Sequence, residues 1–158
     1  MDNDKVLEIV NQKFSKFLID KKCRKTPERY AILNLIYSDH QHFDMDSLYK
    51  AMTNQNFRVS RATLYNTMQL LLECNLVLKH QFGQNISFYE RAYNNELHHH
   101  LICTSCRKIR EYKNIELKSL IQNRKIKNFT PLHYSLYVFG ICNSCARRLK
   151  VKNKQIKI

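Results

Sequence analysis

Apolar residues recur at helical spacing through the N-terminal half of the chain. Residues 4–20 place Val6, Leu7, Ile9, Val10, Phe14, Phe17 and Leu18 on one side of a 3.6-residue period, which predicts an amphipathic helix that Lys21 to Lys25 interrupt. A second helix is expected from Thr26-Pro27, with Thr26 as N-cap and Pro27 in the first turn, carrying Tyr30, Ile32, Leu33, Leu35 and Ile36. A third follows Asp44, with Leu48, Tyr49 and Met52 as its apolar side. Ser60 caps a fourth, from Arg61 to Leu72, whose buried stripe is expected to be Leu64, Met68, Leu71 and Leu72. Beyond Asn75 the pattern turns strand-like, and Leu76–His80 and Ile86–Glu90 flank a turn containing Gly83, which predicts a hairpin. Helices followed by a hairpin, the last helix with a polar outer face, are the element order of a winged helix-turn-helix.

After Glu90 the pattern predicts a strand at Lys108–Tyr112, a helix near Ile115–Lys127, a strand at His133–Phe139 and a short basic helix after the last cysteine. The expected fold class is therefore α+β. A winged helix-turn-helix domain would occupy residues 1–89 and a small α/β domain residues 90–158. Split this way, 158 residues leave neither half much core to spare. Two Gly and two Pro leave little room for linkers or phosphate-binding glycine loops. No apolar run approaches the ~18 residues of a membrane span. The start Met-Asp-Asn-Asp-Lys lacks the apolar stretch of a signal peptide, so a cytoplasmic protein without membrane contact is expected.

The cysteines add chemistry to this scaffold. Cys103-x-x-Cys106 and Cys142-x-x-Cys145 repeat the spacing at which a tight turn lets two thiolates grip one ion, and four thiolates suit one tetrahedral zinc. Disulfides are the rival, but nothing in the sequence directs the chain to an oxidising compartment. Just upstream, His98-His99-His100 leads into Leu101-Ile102. In an extended segment His98 and His100 share a face and His99 points away. Such a pair beside a sulphur site suggests a second metal site of nitrogen and oxygen ligands, although three adjacent histidines can also be a solvated loop. Cys23 and Cys74 read as small buried hydrophobes.

A net charge of +14 points to a polyanionic partner, with nucleic acid the obvious candidate. Residues 1–90 carry 12 basic against 10 acidic side chains, net +2, and residues 91–158 carry 15 against 3, net +12. Within the first half, Lys13, Lys16, Lys21, Lys22, Arg24, Lys25 and Arg29 cluster. The fourth helix turns Ala62, Thr63, Asn66 and Gln69 outward, with Tyr65 at the flank. Asn and Gln pair bidentately with adenine, and Ala and Thr methyls meet the thymine methyl.

These same residues carry a resemblance. Arg24-Lys-Thr-Pro-Glu-Arg29 looks like the R-x-T-P-x-R signature of the ferric uptake regulator (Fur) family of metal-dependent transcription regulators. Arg61-Ala-Thr-Leu-Tyr65 is similar to its recognition-helix A-T-V-Y, and His98-x-His100-Leu-Ile-Cys103-x-x-Cys106 to its H-x-H-x-x-C-x-x-C. The resemblance implies a homodimer on a palindromic, A·T-rich double-stranded DNA operator, with zinc and the dimer interface in the C-terminal domain. It implies a regulatory metal at the hinge, on His42, Glu90, His98, His100 and Glu111. The outward face of the fourth helix and the basic residues near it give Lys25, Arg29, Arg61, Thr63, Tyr65, Asn66 and Gln69 as the expected DNA contacts. Nitrogen and oxygen donors without sulphur suit Fe(II) or Mn(II), with Zn(II) able to occupy the site in vitro. Relatives that sense peroxide place Asp where Glu90 and Glu111 stand, which favours metal sensing. Departures are Arg107 in place of a glycine, an extra spacing between Glu90 and His98, and Leu97, Lys118 and Tyr134 at the positions of a third metal site, with His133 out of register and His99 left as an accessory donor.

Other classes fit less well. Two histidines and a carboxylate match an iron oxygenase triad, but a DNA-binding fold offers no substrate cavity, so no enzyme is expected. A constitutive zinc-ribbon nucleic-acid-binding protein, a peroxide sensor and a heme-responsive regulator complete the alternatives, the last without a Cys-Pro dipeptide to support it.

Overall fold

The computed structural model describes residues 3–38, 42–55, 57–81, 87–95, 98–122, 127–129 and 134–155. In chain order the elements are α1 (Asn3–Asp20), α2 (Pro27–Ser38), α3 (Met45–Asn54), α4 (Arg61–Glu73), β1 (Val77–Gln81), β2 (Ser87–Arg91), β3 (His99–Cys103), β4 (Ile109–Tyr112), α5 (Ile115–Gln122), β5 (Tyr137–Gly140) and α6 (Asn143–Gln155). They form two compact units, Met1–Asn95 and Glu96–Ile158, so that all of β2 belongs to the first. No helix among the described residues is long and apolar enough to cross a membrane.

The first unit is a winged helix-turn-helix. Val6, Val10, Phe14 and Leu18, one per helical turn, form the buried stripe of α1. They meet Ile32, Leu33 and Ile36 of α2, Leu48 and Met52 of α3, and Leu64, Met68 and Leu71 of α4 in one apolar cluster. Asp44 starts α3 with a capping box, its carboxylate accepting from Ser47 N while Asp44 N donates to Ser47 Oγ. Ser60 caps α4 by accepting from Thr63 N at 3.0 Å.

With so few glycines, other residues close the helices. Lys22 and Asn75 take positive φ, both 54°. They set up six-to-one bonds from Cys23 N to Leu18 O and from Leu76 N to Leu71 O. This accounts for Cys23. It sits where a C-terminal capping motif wants an apolar contact with the last turn, and it packs against the core. Cys74 is the C-cap residue of α4, and burial pushes its thiol up to about 11, so it is an inert packing group.

Two elements differ from the periodicity-based expectation. Thr67 is fully buried on α4 whereas Leu72 is only partly so, so the buried face of the helix is turned from the expected stripe. Tyr37, absent from the expected stripe of α2, is also fully buried. Its hydroxyl donates to Leu76 O at 2.7 Å and accepts from Tyr93 N at 3.1 Å, so it pins the entry and exit of the hairpin. Burial raises this phenol to about 12, which keeps the donor proton in place. The hairpin β1–β2 pairs Leu78 with Glu90 and His80 with Phe88, and a further bridge joins Phe43 to Tyr89.

The second unit is a three-stranded sheet in the order β4-β3-β5, with β3 antiparallel to β4 and parallel to β5. Its described part departs from expectation in two places. Lys127, the expected end of the helix, is in a turn, the stretch 123–126 before it lying outside the described residues, and strand β5 starts at Tyr137. The expected turn at Gly83, and Leu97 and His133, lie outside the described residues, as does the Lys118 side chain.

Candidate functional site

The sheet of the second unit assembles the four cysteines. β3 ends at Cys103, and its parallel register with β5 sets Cys103 opposite Gly140, so the chain leaving β5 delivers Cys142 beside it. Thr104 N donates to Gly140 O at 2.8 Å and Cys142 N to Cys103 Sγ at 3.3 Å. Cys145 follows in the first turn of α6. Arg107 closes the knuckle with φ 61° and donates its N–H to Cys103 O at 2.8 Å. The tight turn is made with a bulkier residue in the left-handed region, where the resemblance leads to the expectation of glycine.

All four sulphurs lie within 4.8 Å of one another. Cys106 and Cys142 stand 3.8 Å apart. Bonds of about 2.3 Å at the tetrahedral angle put sulphurs about 3.8 Å apart, so the set fits zinc. The acid–base properties agree with the need for a cation. Amide N–H groups of Cys142 and then Cys106 pull the Cys103 thiol down to about 6. At Cys106 the Lys108 amide lowers the value, but the neighbouring Cys103 and Cys145 sulphurs outweigh it and push the thiol up to about 11. Four thiolates this close ionise together only around a positive ion. Arg148 Nη2 donates to Cys145 Sγ at 3.0 Å, one turn along α6, and adds positive charge at the rim.

Nitrogen and oxygen donors collect in each unit. In the first, ligand atoms of His42, His80 and Glu90 lie within 4.8 Å of one another. The Phe43–Tyr89 bridge carries His42 to the strand bearing Glu90, with His42 Nε2 3.3 Å from Glu90 Oε2. His80 Nε2 is 2.6 Å from Glu90 Oε1, and Asn95 Nδ2 donates to Oε2 at 3.0 Å. Ligand atoms on one ion at about 2.1 Å stand about 3 Å apart or more. The His42–Glu90 spacing meets that and the His80–Glu90 spacing does not. In this arrangement His80 is a hydrogen-bond partner of Glu90 and also a candidate donor of the same cluster, a residue to which the resemblance did not point. Its signal was the hairpin register, which puts His80 diagonal to Glu90.

In the second unit His98 and His100 come together as alternation requires, ring centroids 4.8 Å apart. His100 faces Glu111 across β3 and β4, and His98 Nε2 is 3.8 Å from Glu111 Oε1. His99 takes the other face but is not solvated. It is fully buried against Tyr112 and Tyr134, and its Nδ1 has no hydrogen-bond partner among the described residues.

The outward face of α4 carries Ala62, Tyr65, Asn66 and Gln69, all exposed. Thr63 is half-buried, its hydroxyl 2.9 Å from Ser60 Oγ, and Gln69 Nε2 donates weakly to Glu73 at 3.4 Å. Lys25 is exposed in the loop ahead of α2. Arg29 donates to the carbonyl of Arg24. Arg61 is paired with Asp46 at 2.8 Å and lies 4.6 Å over the Tyr49 ring, so a DNA contact would have to share it.

Comparison with known proteins agrees with this architecture. The profile of the Ferric uptake regulator family matches residues 20–139. The peroxide-responsive repressor PerR of Staphylococcus epidermidis is 28% identical over 123 residues, 77% of this chain and 81% of that protein. Among solved structures, the Helicobacter pylori ferric uptake regulator superposes with a TM-score of 0.74 at 17% identity, covering 89% of this chain and 93% of that one. The Pseudomonas aeruginosa ferric uptake regulator with manganese gives 0.70 at 21% identity, covering 82% and 97%. At such identities the structural likeness speaks for the fold.

Proposed function

Because the chain belongs to the ferric uptake regulator family of metal-responsive transcription regulators, we propose that it acts as a homodimeric, cytoplasmic repressor that binds A·T-rich palindromic operators when loaded with Fe(II) or Mn(II). The observation that carries this is the separation of donors by chemistry. One set is all sulphur and closed, fitting structural zinc on Cys103, Cys106, Cys142 and Cys145. The other donors are imidazole and carboxylate and suit Fe(II) or Mn(II) while disfavouring Cu(I). We assign the regulatory ion to His42, Glu90, His98, His100 and Glu111, with His80 orienting Glu90. The four thiolate donors and the chain segment bearing them would also build the dimer-forming domain.

An ion that draws ligands from the winged helix and from the zinc-bearing half makes the arrangement of the two depend on metal. Metal then favours the DNA-competent dimer only by its differential affinity for that state, and DNA must tighten metal binding in return. In that state α4 of each protomer enters the major groove, with Asn66 and Gln69 on base edges and Lys25, Arg29 and Arg61 on phosphates.

The similarity to a peroxide-responsive repressor supports a second reading, in which oxidation of the metal-bound site releases DNA. Glu90 and Glu111, longer than the Asp of peroxide-sensing relatives, favour the metal reading. Metal analysis before and after chelation, followed by duplex binding with each metal added back, tests the proposal. Chelation is expected to remove the regulatory ion, spare zinc and weaken binding until Fe(II) or Mn(II) returns. Binding that ignores added metal, or that is lost with peroxide-driven oxygen insertion on the His42 or His98–His100 peptide, would contradict it.

His80 gives a sharper check. His80→Ala should weaken Mn(II) binding about 10- to 100-fold, the usual effect of deleting a supporting hydrogen bond to a ligand, with zinc content unchanged. Unaltered Mn(II) affinity would assign the 2.6 Å contact to packing alone.

A further inference from the structure

A cleft of about 340 Å³ opens where the first turn of α2 and the segment 58–60 meet the first two turns of α4. Arg29, Arg58, Ser60, Thr63, Asn66 and Thr67 are among its walls. We propose that this cleft seats one phosphate of the DNA backbone, with Arg58 as its principal contact; the inference rests on the DNA-binding reading above.

Charge accounting singles out Arg58. Lys21 is paired with Glu73 at 3.1 Å and Arg61 with Asp46 at 2.8 Å, and Arg29 spends part of its guanidinium on the carbonyl of Arg24. Arg58 is exposed, lines the cleft, and has no ion pair or hydrogen bond among the described residues. A guanidinium fork is the group best matched to two phosphate oxygens.

The cleft also holds one carboxylate, Glu28, and its place decides where an anion fits. Backbone N–H hydrogen bonding in the first turn of α2, then the Thr26 hydroxyl, hold this carboxyl below its usual range. Glu28 therefore already compensates the start of α2 and repels an anion from that side. The start of α4 has no acidic residue in its first turn, and Ser60 occupies only the Thr63 N–H. A phosphate would thus sit between Arg58 and α4, where the unbonded N–H groups at a helix start add to the attraction.

Independent support comes from Thr67. It is fully buried, lines the same cleft, and its Oγ1 has no hydrogen-bond partner among the described residues. A buried hydroxyl without a protein partner needs an oxygen acceptor, and an ordered water between it and a phosphate in the cleft would supply one. Thr63 and Asn66 stand on the same wall, so a phosphate fixed here would set the depth and register at which α4 presents its base-reading face.

The test uses the full-length, metal-loaded protein and two probes, a duplex carrying an A·T-rich inverted repeat and a scrambled duplex, with affinity measured over a range of salt. Arg58→Gln is expected to weaken both duplexes alike and to reduce the slope of log affinity against log salt by about 0.9 for each protomer engaged. Methylphosphonate substitution along the inverted repeat should show one neutralised phosphate per half-site that costs the wild type affinity and costs Arg58→Gln nothing further. Arg58 is exposed and unpaired among the described residues, so loss of fold should not confuse the result, and circular dichroism checks this. Wild-type binding with an unchanged slope in Arg58→Gln, or a methylphosphonate profile identical in both proteins, overturns the phosphate site alone. A wild type that binds neither duplex at any salt overturns the DNA-binding reading and this site with it.

Discussion

Replacing Cys106 by serine is expected to reduce zinc from one ion per chain to none, to unfold the second unit and to abolish the dimer. The size of the effect follows from how little else holds that unit. Among its described residues the buried apolar groups are Ile102, Cys103 and Cys145, two of them members of the four-cysteine set, while the buried residues of the main core cluster lie between Val6 and Tyr89. Structural zinc contributes on the order of 10 kcal/mol of apparent folding free energy in small domains that bind it. Cys106 is itself exposed, so the substitution removes a ligand without opening a cavity. Three remaining thiolates cannot close a tetrahedron. The winged-helix unit should keep its own cooperative transition, since Val6, Phe14, Leu33 and Leu71 belong to a core cluster whose described members all lie in that unit. Amide hydrogen exchange checks both parts: protection should vanish across Leu101–Tyr112 and persist in α1 and α4. A zinc-free variant that remained dimeric with a protected β3 would contradict the assignment.

The second large effect concerns the residues proposed to hold the regulatory ion. Glu111→Gln is expected to leave zinc content, dimer and melting temperature unchanged while making duplex affinity insensitive to added Fe(II) or Mn(II). Glu111 suits this test because its side chain is 42% exposed and glutamine preserves its shape, so a change in DNA binding cannot be ascribed to a collapsed core. Allosteric coupling of the usual strength separates loaded from unloaded protein by about 5- to 150-fold in affinity, and the variant should show a ratio near one. His98→Ala and His100→Ala should do the same, with some loss of stability because both rings are buried. Retained metal response in all three would place the sensor elsewhere.

Much of this was legible because the signals were local. Helix starts followed from Asp44, Ser60 and Pro27, and the cysteine set from spacing alone. The same holds for the common face of His98 and His100, which period-2 alternation dictates. What the sequence hid depends on long-range register. His80 lies ten residues from Glu90 and matches no motif, yet β-pairing brings it to 2.6 Å. Tyr37 falls outside the apolar pattern of α2 and is nonetheless the bolt across the hairpin ends, since only the fold brings Leu76 and Tyr93 to its hydroxyl. Thr67 is polar and lies off the expected stripe of α4, yet it is fully buried. His99, on the face away from the donor pair, is buried as well, with the rings of Tyr112 and Tyr134 against it.

If metal and operator bind the same state of the protein, each must strengthen the other's binding. Linkage makes that measurable from the metal side: Mn(II) affinity should be determined by calorimetric titration of the zinc-replete dimer, free and saturated with the inverted-repeat duplex. Duplex is expected to tighten Mn(II) binding by the same factor by which Mn(II) tightens duplex binding, and Glu111→Gln to remove both. Equal Mn(II) affinity with and without the duplex would show that the ion does not govern DNA binding.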